Sequence, residues 1–107
     1  MEVKELYLKM LECVDAGMKC EFTLFKPMEK PENNIFFADR IDVEEIELEG
    51  NQLTFHTKTS GMMILPTLKL FDLHFSELED GNKTASIGFR SGAASDSDWM
   101  IEFLFHC

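Results

Sequence analysis

The clearest alternation of hydrophobic and polar positions lies in residues 41–59, where two alternating segments flank the pair Gly50-Asn51. Side chains alternate across a strand, and a glycine-asparagine pair favours a two-residue primed turn, so this segment predicts a β-hairpin. The predicted register pairs Glu49 with Gln52, Leu48 with Leu53, Glu47 with Thr54, Ile46 with Phe55, and Glu45 with His56. One face of the hairpin is therefore apolar, and the other carries three glutamates.

Burial on one face determines this register. Shifting the pairing by one residue would bury three carboxylates, and burying an unpaired charge costs on the order of several kcal/mol. Upstream of the hairpin, Ile41 and Val43 have the opposite phase to Ile46 and Leu48. This change of phase predicts a bulge or bend at Glu44-Glu45.

A helical pattern precedes the strands. Apolar residues in the segment 2–16 recur at helical spacing, with charged residues on the other side, and Gly17 follows as a typical C-terminal residue. We therefore expect one amphipathic helix of about four turns at the N-terminus.

Alternation also predicts strands over residues 20–25, 69–75, 84–90 and 99–107, while residues 35–40 form a strand that leads into the hairpin. Residues 62–65 are apolar at consecutive positions, which periodicity cannot assign. Pro66 excludes a central strand at that position. The pattern thus leaves residues 62–65 either in the core or on the surface.

These elements predict an α+β fold in a single domain of residues 1–107. The amphipathic N-terminal helix would pack on one face of an antiparallel sheet of about six strands. A small, partly closed β-barrel with one helix is the alternative, because ten phenylalanines provide enough bulk for either architecture.

Composition favours the cytoplasm. No apolar run approaches the length of about 18 residues that a membrane span requires. The first residues include Glu2, Glu5 and Glu12, unlike the basic start and uncharged core of an export signal. Three cysteines at irregular positions do not suggest a disulfide framework.

Net charge narrows the class of partner. The chain has 20 acidic and 10 basic residues, for a net charge of −10. Nucleic acids and anionic membranes are bound through basic patches, so direct binding to either is disfavoured. A protein with a basic surface would instead be attracted.

We find no motif for a metal, a cofactor or catalysis. Paired cysteine spacings typical of zinc sites do not occur, and the loop containing Asp96 and Asp98 lacks the glutamate that ends a calcium loop. No nucleophile elbow is present either. His56 opposite Glu45 is interpreted as a surface ion pair, so the sequence predicts a protein that is not an enzyme.

Two segments remain as candidates for binding a partner. The acidic stretch supplies carboxylates in and just before the hairpin, and the apolar segment after it could be a docking patch or a contact between two copies of the chain. The predicted partner-binding residues are Asp42, Glu44, Glu45, Glu47, Glu49, Met62 and Met63.

The resulting hypothesis is a non-enzymatic interaction module, such as an inhibitor, an immunity-type factor or a regulatory adaptor, that binds a basic surface on a partner protein. The alternative is a small-molecule-binding domain with a pocket between helix and sheet, lined by Phe and Met. A third hypothesis is a small hydrolase or isomerase that uses His56 or His74.

Overall fold

The computed structural model describes residues 1–59, 61–92 and 98–107. Within these residues the chain forms one α-helix and seven β-strands. They are α1 (Val3–Asp15), β1 (Lys19–Lys26), β2 (Ile35–Glu49), β3 (Gln52–Thr57), β4 (Met62–Pro66), β5 (Leu70–Glu77), β6 (Lys83–Arg90) and β7 (Asp98–His106). Two short 3₁₀ turns, Pro31–Asn33 and Thr67–Lys69, precede β2 and β5.

The helix forms where the apolar spacing predicts it. Leu6, Met10 and Cys13 lie on one face of α1 and are buried against the sheet. Gly17 ends the helix with a φ of 84°, and the N–H of Met18 donates to the carbonyl oxygen of Cys13 at 3.1 Å. This satisfies a carbonyl that the end of the helix would otherwise leave unpaired, so the sequence-based prediction of the helix and its end is confirmed.

The strands form one antiparallel sheet in the order β4-β3-β2-β1-β7-β6-β5. The α+β prediction is therefore confirmed, but the predicted number of about six strands is wrong. The seventh strand is β4, at the edge of the sheet. Met62 and Ile64 are exposed on one face of β4, while Met63 and Leu65 pack on the core through the other. An edge strand with apolar residues on both faces shows no alternation that the sequence could reveal.

The long strand β2 belongs to two ladders. Its first part pairs with β1 up to the Val43–Cys20 pair, and its second part pairs with β3 from Val43 to Glu49. The ladder with β3 has the predicted register, Gly50 adopts a φ of 57°, and a bulge lies between Val43 and Glu45. The predictions for the hairpin and its bulge are confirmed.

The sheet is strongly curled but not closed. Only the Thr67–Lys69 turn separates β4 and β5, which lie at opposite edges. That connection spans at most about 15 Å, whereas the edges of a flat sheet of this size would be about 29 Å apart. Within the described residues β4 and β5 do not pair, so the barrel alternative is not what the chain forms.

The inner face of the curled sheet and α1 enclose the core. The rings of Phe55 and Phe103 meet there at a centroid distance of 4.8 Å, and both are buried. Leu65 near one edge and Phe75 near the other pack on the same core. The face of the sheet that points away from α1 is called the outer face below.

Two further bulges have residues in the left-handed region. Arg40 in β2 has a φ of 53° and Asp72 in β5 a φ of 49°. Each such conformation costs a residue other than glycine about 1–2 kcal/mol. The bulge at Asp72 breaks the alternation that the sequence suggests for β5, so that Leu70 packs on the core with Leu73 and Phe75.

The helix α1 has only 13 residues, and the described part of the chain contains no helix of the length and apolarity that crossing a bilayer would require.

Candidate partner-binding surface

Three strands place acidic, polar and apolar side chains in parallel columns on the outer face. Their registers align the residues in three rows across β2, β3 and β4. The rows are Glu45–His56–Met62, Glu47–Thr54–Ile64 and Glu49–Gln52–Pro66. We call the exposed residues Glu45, Glu47, Glu49, Met62, Ile64 and Pro66 the acidic-apolar face.

The apolar column is well exposed for side chains of this kind. Met62 has 57% of its surface exposed and Ile64 47%, although both are large and hydrophobic. Neighbouring strands lie about 4.8 Å apart, so β4, with its apolar side chains, lies about 10 Å from β2, which carries the glutamates. A partner could therefore contact charged and apolar side chains at the same time.

The predicted partner-binding residues do not all lie on this face. Glu45, Glu47, Glu49 and Met62 do. Asp42 and Glu44 are also exposed, at and before the bulge that interrupts the ladder of β2 with β3. Met63 is half-buried and packs on the core from the inner face, so it is not available there.

The predicted partner-binding residues did not include Ile64 and Pro66, although the apolar segment 62–65 was a candidate docking patch. Their contribution depends on the pairing of β4 with β3, which places Ile64 beside Thr54 and Pro66 beside Gln52. The signal that could have found them is the position of Pro66, because proline in a sheet favours an edge strand.

The imidazole of His56 contacts a different carboxylate from the one predicted. Its backbone pairs with Glu45, but His56 Nε2 lies 3.5 Å from Glu47 Oε2. Nε2 makes no hydrogen bond and is itself shielded from solvent, although 29% of the side chain is exposed. Such a partly exposed pair contributes under about 1 kcal/mol.

A divalent cation could find three ligands here. The ligand atoms of Glu45, Glu47 and His56 lie within 4.8 Å of one another. Both carboxylates are exposed, and cross-strand neighbours reach such distances without a metal. The chemistry that these residues support without a metal is electrostatic attraction of a cationic group.

The negative charge of this face is hardly compensated. In the described part of the chain, His56 is the only group that forms an ion pair with Glu45, Glu47 or Glu49. Residues 39–49 contain six acids and one base, which gives half of the total net charge. Among the described residues, Glu45 and Glu49 therefore form no ion pair that a basic surface would have to displace.

A polar cleft of about 470 Å³ occupies another part of the outer face. It lies over β1, β7, β6 and β5, where the registers form two rows of side chains that are polar except for Leu104, and Arg40 lies at the bulge of β2. The first row is Thr23–Glu102–Ser86–His74, and the second is Glu21–Leu104–Thr84–Ser76. These residues come from four strands that are distant in sequence, so no local motif could reveal them.

The cleft does not contain a catalytic triad. Ser86 lies between His74 and Glu102, whereas a serine nucleophile needs the imidazole between the hydroxyl and the acid. Among the described residues, no hydrogen bond joins His74 to Ser86 or Glu102. The arrangement supports hydrogen bonding to a polar molecule rather than activation of a nucleophile.

Comparison of the chain with protein-family models, with curated proteins and with solved structures found no match.

Proposed function

We propose that this protein is a non-enzymatic interaction module that binds a basic surface on a partner protein through the acidic-apolar face. The observation that carries this proposal is the alignment of carboxylates on β2 with exposed apolar side chains on β4, across one intervening strand. By occupying the basic surface of its partner, the protein would act as an inhibitor, an immunity-type factor or a regulatory adaptor.

Charge and apolar contact have separate roles in this proposal. A net charge of −10, concentrated near Glu45, Glu47 and Glu49, accelerates the encounter with a basic partner. Met62 and Ile64 then supply buried contact area that slows dissociation. A partner site with basic residues beside an apolar pocket would complement both columns.

The carboxylates alone would imitate a nucleic acid poorly. Alternate residues of a strand lie about 6.7 Å apart, whereas a DNA duplex presents one charge per about 1.7 Å of its axis. If the partner normally binds nucleic acid, the apolar column has to contribute much of the affinity.

The test is a charge reversal with a matched control. The triple variant Glu45→Lys, Glu47→Lys, Glu49→Lys should associate at least about tenfold more slowly with the partner isolated from native cells, and its association rate should depend less on salt. The control is Glu2→Lys, Glu5→Lys, Glu12→Lys at exposed positions in and beside α1, with the same change in net charge. Association rates are measured by surface plasmon resonance over a range of salt concentrations.

Two outcomes would contradict the proposal. Unchanged association of the β2 variant would exclude the carboxylates from the interface. An equal decrease in the association rate of the α1 variant would show that only the total charge matters. The double variant Met62→Ser, Ile64→Ser should mainly accelerate dissociation, which separates the apolar column from the acidic one.

Binding of a small molecule is the second candidate function, and the polar cleft favours it. The space between helix and sheet is filled by side chains such as Leu6, Met10 and Phe105, which have no exposed surface. A ligand would therefore occupy the cleft on the outer face, where it would meet hydroxyl and carboxylate groups as well as Phe103 and Leu104.

We also propose a cytoplasmic location. Cys13, Cys20 and Cys107 are free thiols, and reducing compartments keep thiols in this state.

A further inference from the structure

The first part of β2, residues 35–41, has a strand on one side only. It pairs with β1 from Ile35 to Ile41, whereas the ladder with β3 begins at Val43. In the described parts of the chain, no other strand pairs with residues 35–41. Backbone N–H and C=O groups along this edge are therefore open to an added strand.

Three consecutive large apolar side chains are exposed along this edge. Ile35 is 47% exposed, Phe36 59% and Phe37 53%. The rings are already held in place, because Phe36 lies against Phe25 at a centroid distance of 5.6 Å and Phe37 against Trp99 at 3.8 Å. Rigid aromatic side chains lose little conformational freedom on binding, which makes them effective anchors.

The first four residues of this edge, 35–38, lack the protection that exposed strands usually have, whereas Asp39 and Arg40 bring charge and a bulge to the rest of it. Proteins protect edges with charged residues, prolines or very short strands. The edge strand β4 has only five residues and ends at Pro66, but residues 35–38 of β2 contain neither a charge nor a proline. An exposed apolar edge of this kind is a surface to which an extended chain can add.

We infer that residues 35–41 bind an extended apolar segment, flanked by basic residues, of a partner protein, which lengthens the ladder beside β2 by one strand. Main-chain hydrogen bonds and the Ile35–Phe37 side chains would provide the affinity. This inference goes beyond the acidic-apolar face and stands even if that face binds nothing.

Charge distinguishes this occupant from a second copy of the chain. Two copies would each bring a net charge of −10 to the contact. The exposed carboxylates of Asp39 and Asp42, with Arg40 between them, give the end of this edge a local net charge of −1, which adds to the repulsion between two copies. Basic flanks in the added segment would instead pair with these carboxylates.

The test uses a short acetylated and amidated peptide of valines with two lysines at each end, so that an apolar segment has basic flanks. Trp99, the only tryptophan in the chain, contacts Phe37 and reports binding through its fluorescence. Binding should also slow amide hydrogen exchange of the open-edge amides of residues 35–41, measured by NMR. N-methylation of the same peptide at two consecutive residues removes one N–H donor from each of the peptide's two edges. This peptide should bind at least about tenfold more weakly.

A matched pair of variants identifies the edge. Ile35→Lys places a charge in the proposed site, and Ile64→Lys places the same charge on β4 at a residue with the same 47% exposure. Binding of the peptide should weaken at least about tenfold in Ile35→Lys and much less in Ile64→Lys.

Other outcomes would overturn the inference. Slowed exchange in β4 or β5 instead of β2 would assign the peptide to another edge. Equal binding of a peptide with glutamate in place of lysine would remove the requirement for basic residues. Concentration-dependent dimerisation of the protein alone, with slowed exchange in residues 35–41, would assign the edge to a second copy.

Discussion

The two parts of β2 expose different chemistry at their unpaired edges. Residues 44–49 pair with β3 alone, and residues 35–41 pair with β1 alone. The former carry exposed glutamates at alternate positions, and α1 packs on β2. The latter begin with three exposed apolar residues. One strand thus combines an edge lined by glutamates with an edge whose first four residues, 35–38, carry no charge.

This difference separates two kinds of contact. Glutamates attract a basic surface from a distance but provide little apolar contact area. The Ile35–Phe37 run provides apolar area and main-chain hydrogen bonds but no charge of its own. The two proposals therefore involve different contacts, one dominated by charge and the other by apolar area.

The largest expected effect is a loss of stability when a phenylalanine in or beside each part of β2 is truncated to alanine. Phe55, opposite Ile46, has no exposed surface, so Phe55→Ala should lower the free energy of unfolding by about 3–5 kcal/mol. Phe36→Ala should lower it by less than about 1 kcal/mol, because most of that ring is already exposed. Urea denaturation measures both. Similar losses would mean that the edge at Phe36 is as well packed as the hairpin.

A smaller effect reports on the junction between the two parts. Cys20 lies opposite Val43, and burial raises the pKa of its thiol from 9.0 to about 12. At a pH between these two pKa values, the Cys20 thiol has lost its proton in the unfolded chain but keeps it in the folded protein. The free energy of unfolding therefore falls as the pH rises above 9. By pH 10.5 the loss from this thiol should be about 2 kcal/mol.

Urea denaturation over this pH range measures the loss at Cys20, and Cys20→Ala is the control because it removes the titrating group. If the variant lost as much stability between pH 9 and 10.5 as the native sequence, the thiol at the junction would be accessible to solvent in the folded protein.

The smallest effect concerns the bulge in the first part of β2. Arg40 has a φ of 53°, which glycine adopts without strain. Arg40→Gly should be about 1 kcal/mol more stable than Arg40→Ala, because both remove the side chain but only glycine removes the strain. Thermal denaturation compares them. A more stable alanine variant would contradict the left-handed conformation at this position.

The sequence predicted best those features that depend on local alternation with one buried face. The hairpin register followed from Ile46 and Phe55, and the end of α1 from Gly17. The sequence did not reveal β4, whose apolar residues point to both faces, or the bulge at Asp72, where no glycine marks the left-handed conformation. The pairing of β1 with β7 has no local signal, because these strands lie at opposite ends of the chain.

The same reasoning explains which parts of the candidate site could be predicted. Glu45, Glu47 and Glu49 share a face because they alternate along one strand. Consecutive apolar residues carry no periodicity that would orient Met62 and Met63, so both were predicted to bind a partner, and the structure separates them. Residues 35–37 were predicted as a strand. That they pair with β1 alone depends on the order of the strands in the sheet, which the sequence does not reveal.

The Thr67–Lys69 turn divides the chain into two pieces that meet along a single ladder. Leu68 in this turn is 90% exposed and offers a site for cleavage. One fragment would contain α1 and β1–β4, and the other β5–β7, joined through the β1–β7 ladder and the contact of α1 with β5. The molecule is therefore suited to fragment complementation, in which recovery of the fold reports that two separately expressed pieces have met.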